Sequence, residues 1–306
     1  MGDRLEAALK NSPTGPADFS VVVQGPATDL LAATVASIRR VLPGAQLIVS
    51  TWKGADVVGL DADVVVLNDD PGSADYRVGD RSASGKPFNT NRMITSTRNG
   101  LARAERPWAV KLRNDTPLHH DGFVDWIGVH RERHPDLRVF DDRLLTASIA
   151  TRPSSTMAGY LFHPSDCVHI GRTPDVRRLW DTPLIDEAAN ACWLRGRPRP
   201  DPDLIPGNWA PRYFNEQTLW LSCLRRHGFD VDYEHTGLHR DDQAHLSDLS
   251  IANNFVVLEP WQLGIGFPKF TAITRQTSLW QYLRFDEWRR LYERHCVAVP
   301  AGTATQ

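Results

Sequence analysis

"FSVVVQGPATDLLAATVASIRRVLPGAQLIVSTW", residues 19–52, reads as three pieces in succession. "FSVVV" is a run of β-branched and aromatic residues closed by Gly25-Pro26, the pattern of a buried strand running into a turn. Leu30, Leu31, Val35, Ile38 and Leu42 then recur at helical spacing and stop at Pro43-Gly44. "AQLIVSTW" is a second apolar strand, and "ADVVVLNDDPG" promises a third. Strands that are apolar throughout and separated by a helix predict a parallel sheet covered by helices on both faces.

The rest of the chain extends this unit. "NTNRMITSTRNGLARA" gives a helix that leads into the strand "WAVKLR", residues 108–113, and that strand ends on Arg113-Asn114-Asp115. Strands are expected in "LRVFDDRLLTAS", in "GYLFHPSD" and in "FDVDY", and helices in "TPDVRRLWDTPL" and "NEQTLWLSCLRRHG". In the second of these helices Asn215 would cap, Glu216 lies in the first turn, two arginines close the last turn and Gly228 stops it. "SLWQYLRFDEWRRLYERH", residues 278–295, is amphipathic, with an aromatic stripe that would pack on the domain or rest on a membrane surface. Residues 70–88 and 195–212 read as long loops.

The totals set limits. The chain has 306 residues, a net charge of -2 from 35 basic and 37 acidic side chains, and 41% hydrophobic residues. No basic stretch is long enough to track a phosphate backbone, so no nucleic-acid partner is expected. No apolar run reaches the roughly 18 residues of a membrane span. The N-terminus lacks the apolar core of a secretion signal, which points to the cytoplasm, with the inner face of the membrane as an alternative. Four cysteines without a C-x-x-C spacing suggest neither a zinc cluster nor a disulfide framework.

In an open parallel sheet, ligands bind beyond the carboxyl ends of the strands. Gln24-Gly25-Pro26, Thr51-Trp52 and Arg113-Asn114-Asp115 all fall at that edge. A carboxylate at Asp115 can coordinate Mg²⁺ or Mn²⁺, which would grip a diphosphate. Equally, Asp before Thr-Pro is a good turn former, and Asp115 could cap the segment that follows.

"NTNRMITSTRNGLARAERPWAVKLRNDTPL" resembles the donor-binding half of a GT-A glycosyltransferase, in which a helix runs into a strand ending on a D-x-D or related metal motif. More narrowly, "VVVQGP", "SIRRVLPGAQLIVSTWKGADV", "LNDDPG", "NRMITSTRNGL", "KLRNDT", "FHPSD", "LWDTPL" and "IANNFVVL", in that order, resemble the WavE family of surface-polysaccharide synthesis proteins.

The resemblance implies a GT-A-like, doubly wound, mostly parallel α/β sheet with helices on both faces and a C-terminal elaboration. It divides the chain into an N-terminal helix and linker (1–17), a donor-binding half (18–125), an acceptor half (126–275) and a C-terminal helix and tail (276–306). The implied activity is transfer of a sugar from a nucleotide diphosphate donor to a carbohydrate, lipid-linked or small-molecule hydroxyl. A non-catalytic carbohydrate-binding scaffold and a sugar nucleotidyltransferase are the alternatives. A nucleotidyltransferase should carry a glycine-rich loop with a basic residue after the first strand; "QGPATDLL" has one glycine and no such residue.

By the same resemblance Gln24, Gly25 and Pro26 would border the base, with Thr51 and Trp52 near base or ribose and Arg92 approaching the diphosphate. Asp115 would hold the metal, joined by His239 in preference to His235. Arg113 stands where a full D-x-D has its first carboxylate, so with Asn114 it could meet phosphate oxygens directly. An inverting transfer needs a base for the acceptor hydroxyl. Glu216 is the first candidate and Asp166 the competing one, with His163 beside Asp166. As a bland alternative, Glu216 would merely offset a helix dipole. Lys111 and Lys269 could neutralise phosphate, and Asp241-Asp242 could hold sugar hydroxyls; residues 233–246, which include these two aspartates, read as a solvated polar loop.

Overall fold

The computed structural model describes residues 13–74, 88–155, 160–194, 197, 211–236, 238–268 and 281–298. Within them run β1 (Phe19–Gln24), α1 (Asp29–Val41), β2 (Gln46–Trp52), β3 (Val64–Asn68), α2 (Thr90–Leu101), β4 (Trp108–Arg113), β5 (Leu144–Ala147), β6 (His169–Arg172), α3 (Thr173–Trp180), α4 (Glu187–Ala191), α5 (Asn215–Arg226), α6 (Asp241–Asn254), β7 (Phe255–Leu258), α7 (Pro260–Leu263) and α8 (Phe285–Tyr292). Short 3₁₀ turns and one π turn, which follows α8, complete the chain.

The strands form one seven-stranded sheet in the order β3-β2-β1-β4-β6-β5-β7. Pairings β3-β2, β2-β1, β1-β4 and β5-β7 are parallel, whereas β6 is antiparallel to both β4 and β5. Six strands therefore leave the sheet at one edge, and β6 starts there. This is the GT-A-like α/β architecture that the sequence predicts.

Period-two alternation explains why both faces are covered. Val21, Val23, Leu47, Val49, Val110 and Leu112 bury into one core with Leu31, Val35 and Ile38 of α1 and Trp288 of α8. Val22, Ile48 and Ala109 bury into the other, with α2, α3 and α5. β3 is an edge strand, and its Val65 and Leu67 remain exposed. No helix among the described residues is long and apolar enough to cross a membrane.

Five expectations differ from what forms. Phe214 is the N-cap of α5, and Asn215 is its first helical residue. "GYLFHPSD" gives no strand, because Phe162 has φ +55° and Pro164 follows; the strand is His169–Arg172. Asp166 therefore precedes a reversed strand and reaches the ligand edge from β6's beginning. Residues 229–233 are irregular. Residues 241–246 open a 14-residue helix, α6, and are not a loop. The C-terminal helix covers only Phe285–Tyr292, because the Glu287 carboxylate accepts the Arg284 backbone N–H (2.9 Å) and closes its first turn. Its Trp288 is fully buried, so this face packs on the domain. Most of the two long loops, residues 278–280 and Lys269 lie outside the described residues.

Candidate functional site

Asn114 explains much of the motif after β4. Its side-chain amide donates to the Pro26 carbonyl (2.7 Å) and to Thr28 Oγ1 (3.0 Å), and its backbone N–H donates to the Gln24 carbonyl (2.9 Å). Gly25, at φ +127°, passes so close that an added Cβ would sit 2.6 Å from Asn114 Oδ1. Asn114 thus staples the turn after β1 to the end of β4. Gln24 is buried and accepts a hydrogen bond from Ser96 of α2 (2.8 Å). Thr51 is fully buried with no hydrogen-bond partner for its hydroxyl, and Trp52 is half-buried at the end of β2.

Arg113 and Asp115 face each other. The guanidinium donates Nε to Oδ1 at 2.9 Å and Nη2 to Oδ2 at 2.6 Å, with both side chains mostly buried. This is a bidentate, charge-assisted pair. It occupies both oxygens of the carboxylate proposed for a metal. His239 turns instead to the Ser154 carbonyl (3.2 Å). Among the described residues no three His, Cys, Asp or Glu side chains converge as a metal centre requires. Asp115 and His239 as they stand do not fit a divalent ion. Arg92 likewise forks onto Asp70 at 2.7 and 2.6 Å.

The second group of side chains is assembled by β6, by the loop after β5 and by the start of α5. Gln217 is buried; it accepts the Phe214 N–H (3.1 Å) and donates to the Leu161 carbonyl (2.9 Å). That clamp brings Glu216 next to His163, whose Nε2 lies 3.5 Å from Glu216 Oε2. His163 Nδ1 meets the Ala150 carbonyl at 2.8 Å, so Nδ1 carries the proton and Nε2 is an acceptor facing the carboxyl. Both ends of this contact depend on residues at positive φ, Ala150 (70°) and Phe162 (55°). Such strain persists only where the surroundings enforce it.

Electrostatics set the protonation. Burial, then the Arg152 charge, pushes His163 down to about 3, so it is neutral. Burial, then the Asp166 charge, pushes Glu216 up to about 8, against Arg152 and Arg113, which pull it down. Glu216 thus holds a proton that it can share with His163. Beneath them Lys111 is fully buried, with Nζ 2.5 Å from the Asp166 carbonyl and 4.6 Å from the Trp180 ring centre. Burial lowers Lys111 to about 8. It anchors the Asp166 backbone and does not reach the surface. Asp241 and Asp242 open α6, and Asp242 pairs with Arg240 (2.9 Å).

Arg113, Asp115, Asp166 and Glu216 therefore belong to one electrostatic cluster: Arg113 feels both aspartates, and Glu216 feels Asp166 and Arg113. His163 joins it through Glu216. Sequence reasoning missed Arg152 and Tyr282. The Arg152 N–H donates to the His163 carbonyl (2.9 Å), and its guanidinium stacks 4.6 Å from the Tyr282 ring centre. The available signal was positional, since Arg152 follows β5 at the ligand edge.

No curated protein matches this chain. The sequence profile of one family does, from residue 19 to residue 305, which takes in the whole sheet and every member of the cluster. On that match the chain belongs to the WavE lipopolysaccharide synthesis family, and its role lies in polysaccharide biosynthesis.

Proposed function

We propose that the protein is a glycosyltransferase that moves a sugar from a nucleotide diphosphate donor to a hydroxyl acceptor, with Glu216 as the general base. The observation that carries this reading is a carboxyl raised to about 8 beside a neutral imidazole, at the strand-end edge where such sheets bind ligands. A base is most effective when its proton affinity lies near the working pH. In its deprotonated form, which becomes abundant as pH approaches 8, Glu216 would take the proton of the acceptor hydroxyl as that oxygen attacks the anomeric carbon. The bond from that carbon to the diphosphate oxygen breaks, and its electron pair leaves with the diphosphate. Arg113 supplies positive charge beside the β1 turn, where developing charge on the leaving group would be met. Asp166 acts through Glu216, because its negative charge helps keep the base strong.

The test is mass-spectrometric detection of sugar transfer from a panel of uridine, guanosine, cytidine and thymidine nucleotide sugars to lipopolysaccharide core oligosaccharide. Glu216→Gln should lower turnover by about 10²–10⁴-fold, the usual contribution of a positioned base. Full turnover in that variant would remove Glu216 from the mechanism.

A further inference from the structure

A cavity of about 440 Å³ lies beside the cluster, at the same edge of the sheet. Its walls come from the residues just past three parallel-running strands: His119 and His120 after β4, Ser148 after β5, and Trp261 after β7. The volume is in the range of small-molecule sites. The loops are tied to each other, since His119 N–H donates to the Gly264 carbonyl (2.6 Å) and Gly266 N–H to the Pro117 carbonyl (2.9 Å). Gly264, at φ +71°, has no room for a side chain, because a Cβ would fall 1.9 Å from the His120 carbonyl oxygen.

Trp261 is 70% exposed, the one tryptophan among the described residues left in solvent, while its neighbours Gln262 and Leu263 are buried. Burying such a side chain would stabilise the fold, so an indole held outward on a short, Pro260-started helix is a surface available for something else. The charges in the wall are already matched. Glu259 accepts from Arg284 Nε (2.6 Å), Ser148 Oγ (2.9 Å) and the Phe285 N–H (3.1 Å). A paired wall of this kind suits a neutral ligand better than a phosphate. His120 Nδ1 accepts from the Gly122 N–H (3.1 Å), which leaves its other nitrogen to donate. An aromatic face with polar groups around it matches a pyranose, whose C–H face is apolar and whose rim carries hydroxyls; the electron-rich indole face attracts those C–H bonds.

The cavity also communicates with the proposed base. Tyr282 lines it, and the same ring stacks under Arg152, whose charge acts on both Glu216 and Tyr282.

Resting on the transferase reading above, we infer that this cavity is the acceptor subsite, which receives a neutral sugar ring of the growing glycan against Trp261 and presents its hydroxyl toward Glu216. The test is saturation-transfer NMR and titration calorimetry with core oligosaccharide released from lipopolysaccharide by mild acid, in the absence of donor. The wild type should bind, Trp261→Ala should bind at least tenfold more weakly, and Trp261→Phe should fall between them. Circular dichroism of the Trp261 variants should match wild type, since the side chain is in solvent. Equal binding by Trp261→Ala, or no oligosaccharide binding by the wild type, overturns the subsite. Displacement of the oligosaccharide by uridine diphosphate or by inorganic phosphate also overturns it, by assigning the cavity to an anion. Binding through Trp261 with no transfer from any donor would leave the subsite standing and sink the transferase reading instead.

Discussion

Replacing Glu216 by glutamine should flatten the dependence of stability on pH. A carboxyl that binds its proton more tightly in the folded chain than in the unfolded one stabilises the fold while protonated. That stabilisation is complete below the unfolded value of 4.5 and is lost as pH rises through about 8. From 4.5 to about 8 is roughly 3.5 decades in proton affinity, and at about 1.4 kcal/mol per decade the ceiling is about 5 kcal/mol. The side chain keeps 17% of its surface in water and shares its charge repulsion with Asp166. Both facts reduce the effect, to roughly half the ceiling, about 2–3 kcal/mol. Glutamine keeps the shape and, like the protonated carboxyl, can donate to His163 Nε2, so the variant has no such proton to lose. Calorimetric melting from pH 5 to 9 should show wild type falling relative to Glu216→Gln by about 5–10 °C, at roughly 2–4 °C per kcal/mol. Other raised carboxyls, Asp175, Glu187 and Asp248, are common to both proteins and cancel in the difference. Parallel melting curves across this range would refute the reasoning, because they would mean that Glu216 ionises as it does in the unfolded chain.

Two further outcomes follow from neighbouring contacts. Asp166→Asn removes the charge that helps raise Glu216, so the rise of transfer activity with pH should move to lower pH; an unmoved or upward-shifted profile would remove Asp166 from its proposed role. Gly25→Ala should lower stability by about 1–3 kcal/mol in denaturant titration, because it forces a strained φ and drives Cβ against Asn114, while melting like wild type would deny the close approach of the two turns.

The part of the fold that could be read in advance was the part with a repeating apolar pattern. β1, β2 and β4 are buried on both faces and read as largely apolar runs, with Lys111 the one charge inside β4 ahead of its terminal Arg113, and α1 shows its stripe directly. β6 escaped because "HIGR" carries a histidine, a glycine and an arginine in four residues, while the more strand-like "GYLF" turns at Phe162. α6 escaped for a different reason. Its buried side includes Ser247, Ser250, Asn253 and Asn254, and Asn254 bonds to the Val139 N–H (2.8 Å) and the Ser250 carbonyl (2.9 Å). A helix whose inward face is hydrogen-bonded has no apolar period to detect. The position of Glu216 in the first turn of its helix was legible. Arg152, Tyr282 and Trp261 were not, because each belongs to an irregular or very short segment and only the sheet's topology brings them to one edge.

Lys111 separates what holds the fold from what serves the site. A strand-centre lysine with no exposed surface, lowered to about 8, binds its proton less tightly in the folded chain than in the unfolded one. Its contribution to stability is therefore present above the ordinary 10.5 and is lost as pH falls through about 8, so near neutrality the ammonium opposes folding by up to about 3 kcal/mol. The bond to the Asp166 carbonyl and the Trp180 ring offset part of that. A methionine has a similar length and no charge, so Lys111→Met should melt within about 1 kcal/mol of wild type or somewhat higher at pH 7. The same change frees the Asp166 peptide, and turnover should drop tenfold or more while oligosaccharide binding is kept. A loss of about 3 kcal/mol or more in Lys111→Met would make the lysine a staple of the fold. Unchanged turnover would show that Asp166 keeps its place without it. The reversal of β6 is what makes this arrangement available: it brings a second chain segment to the end of β4, where a single buried cation can fix it.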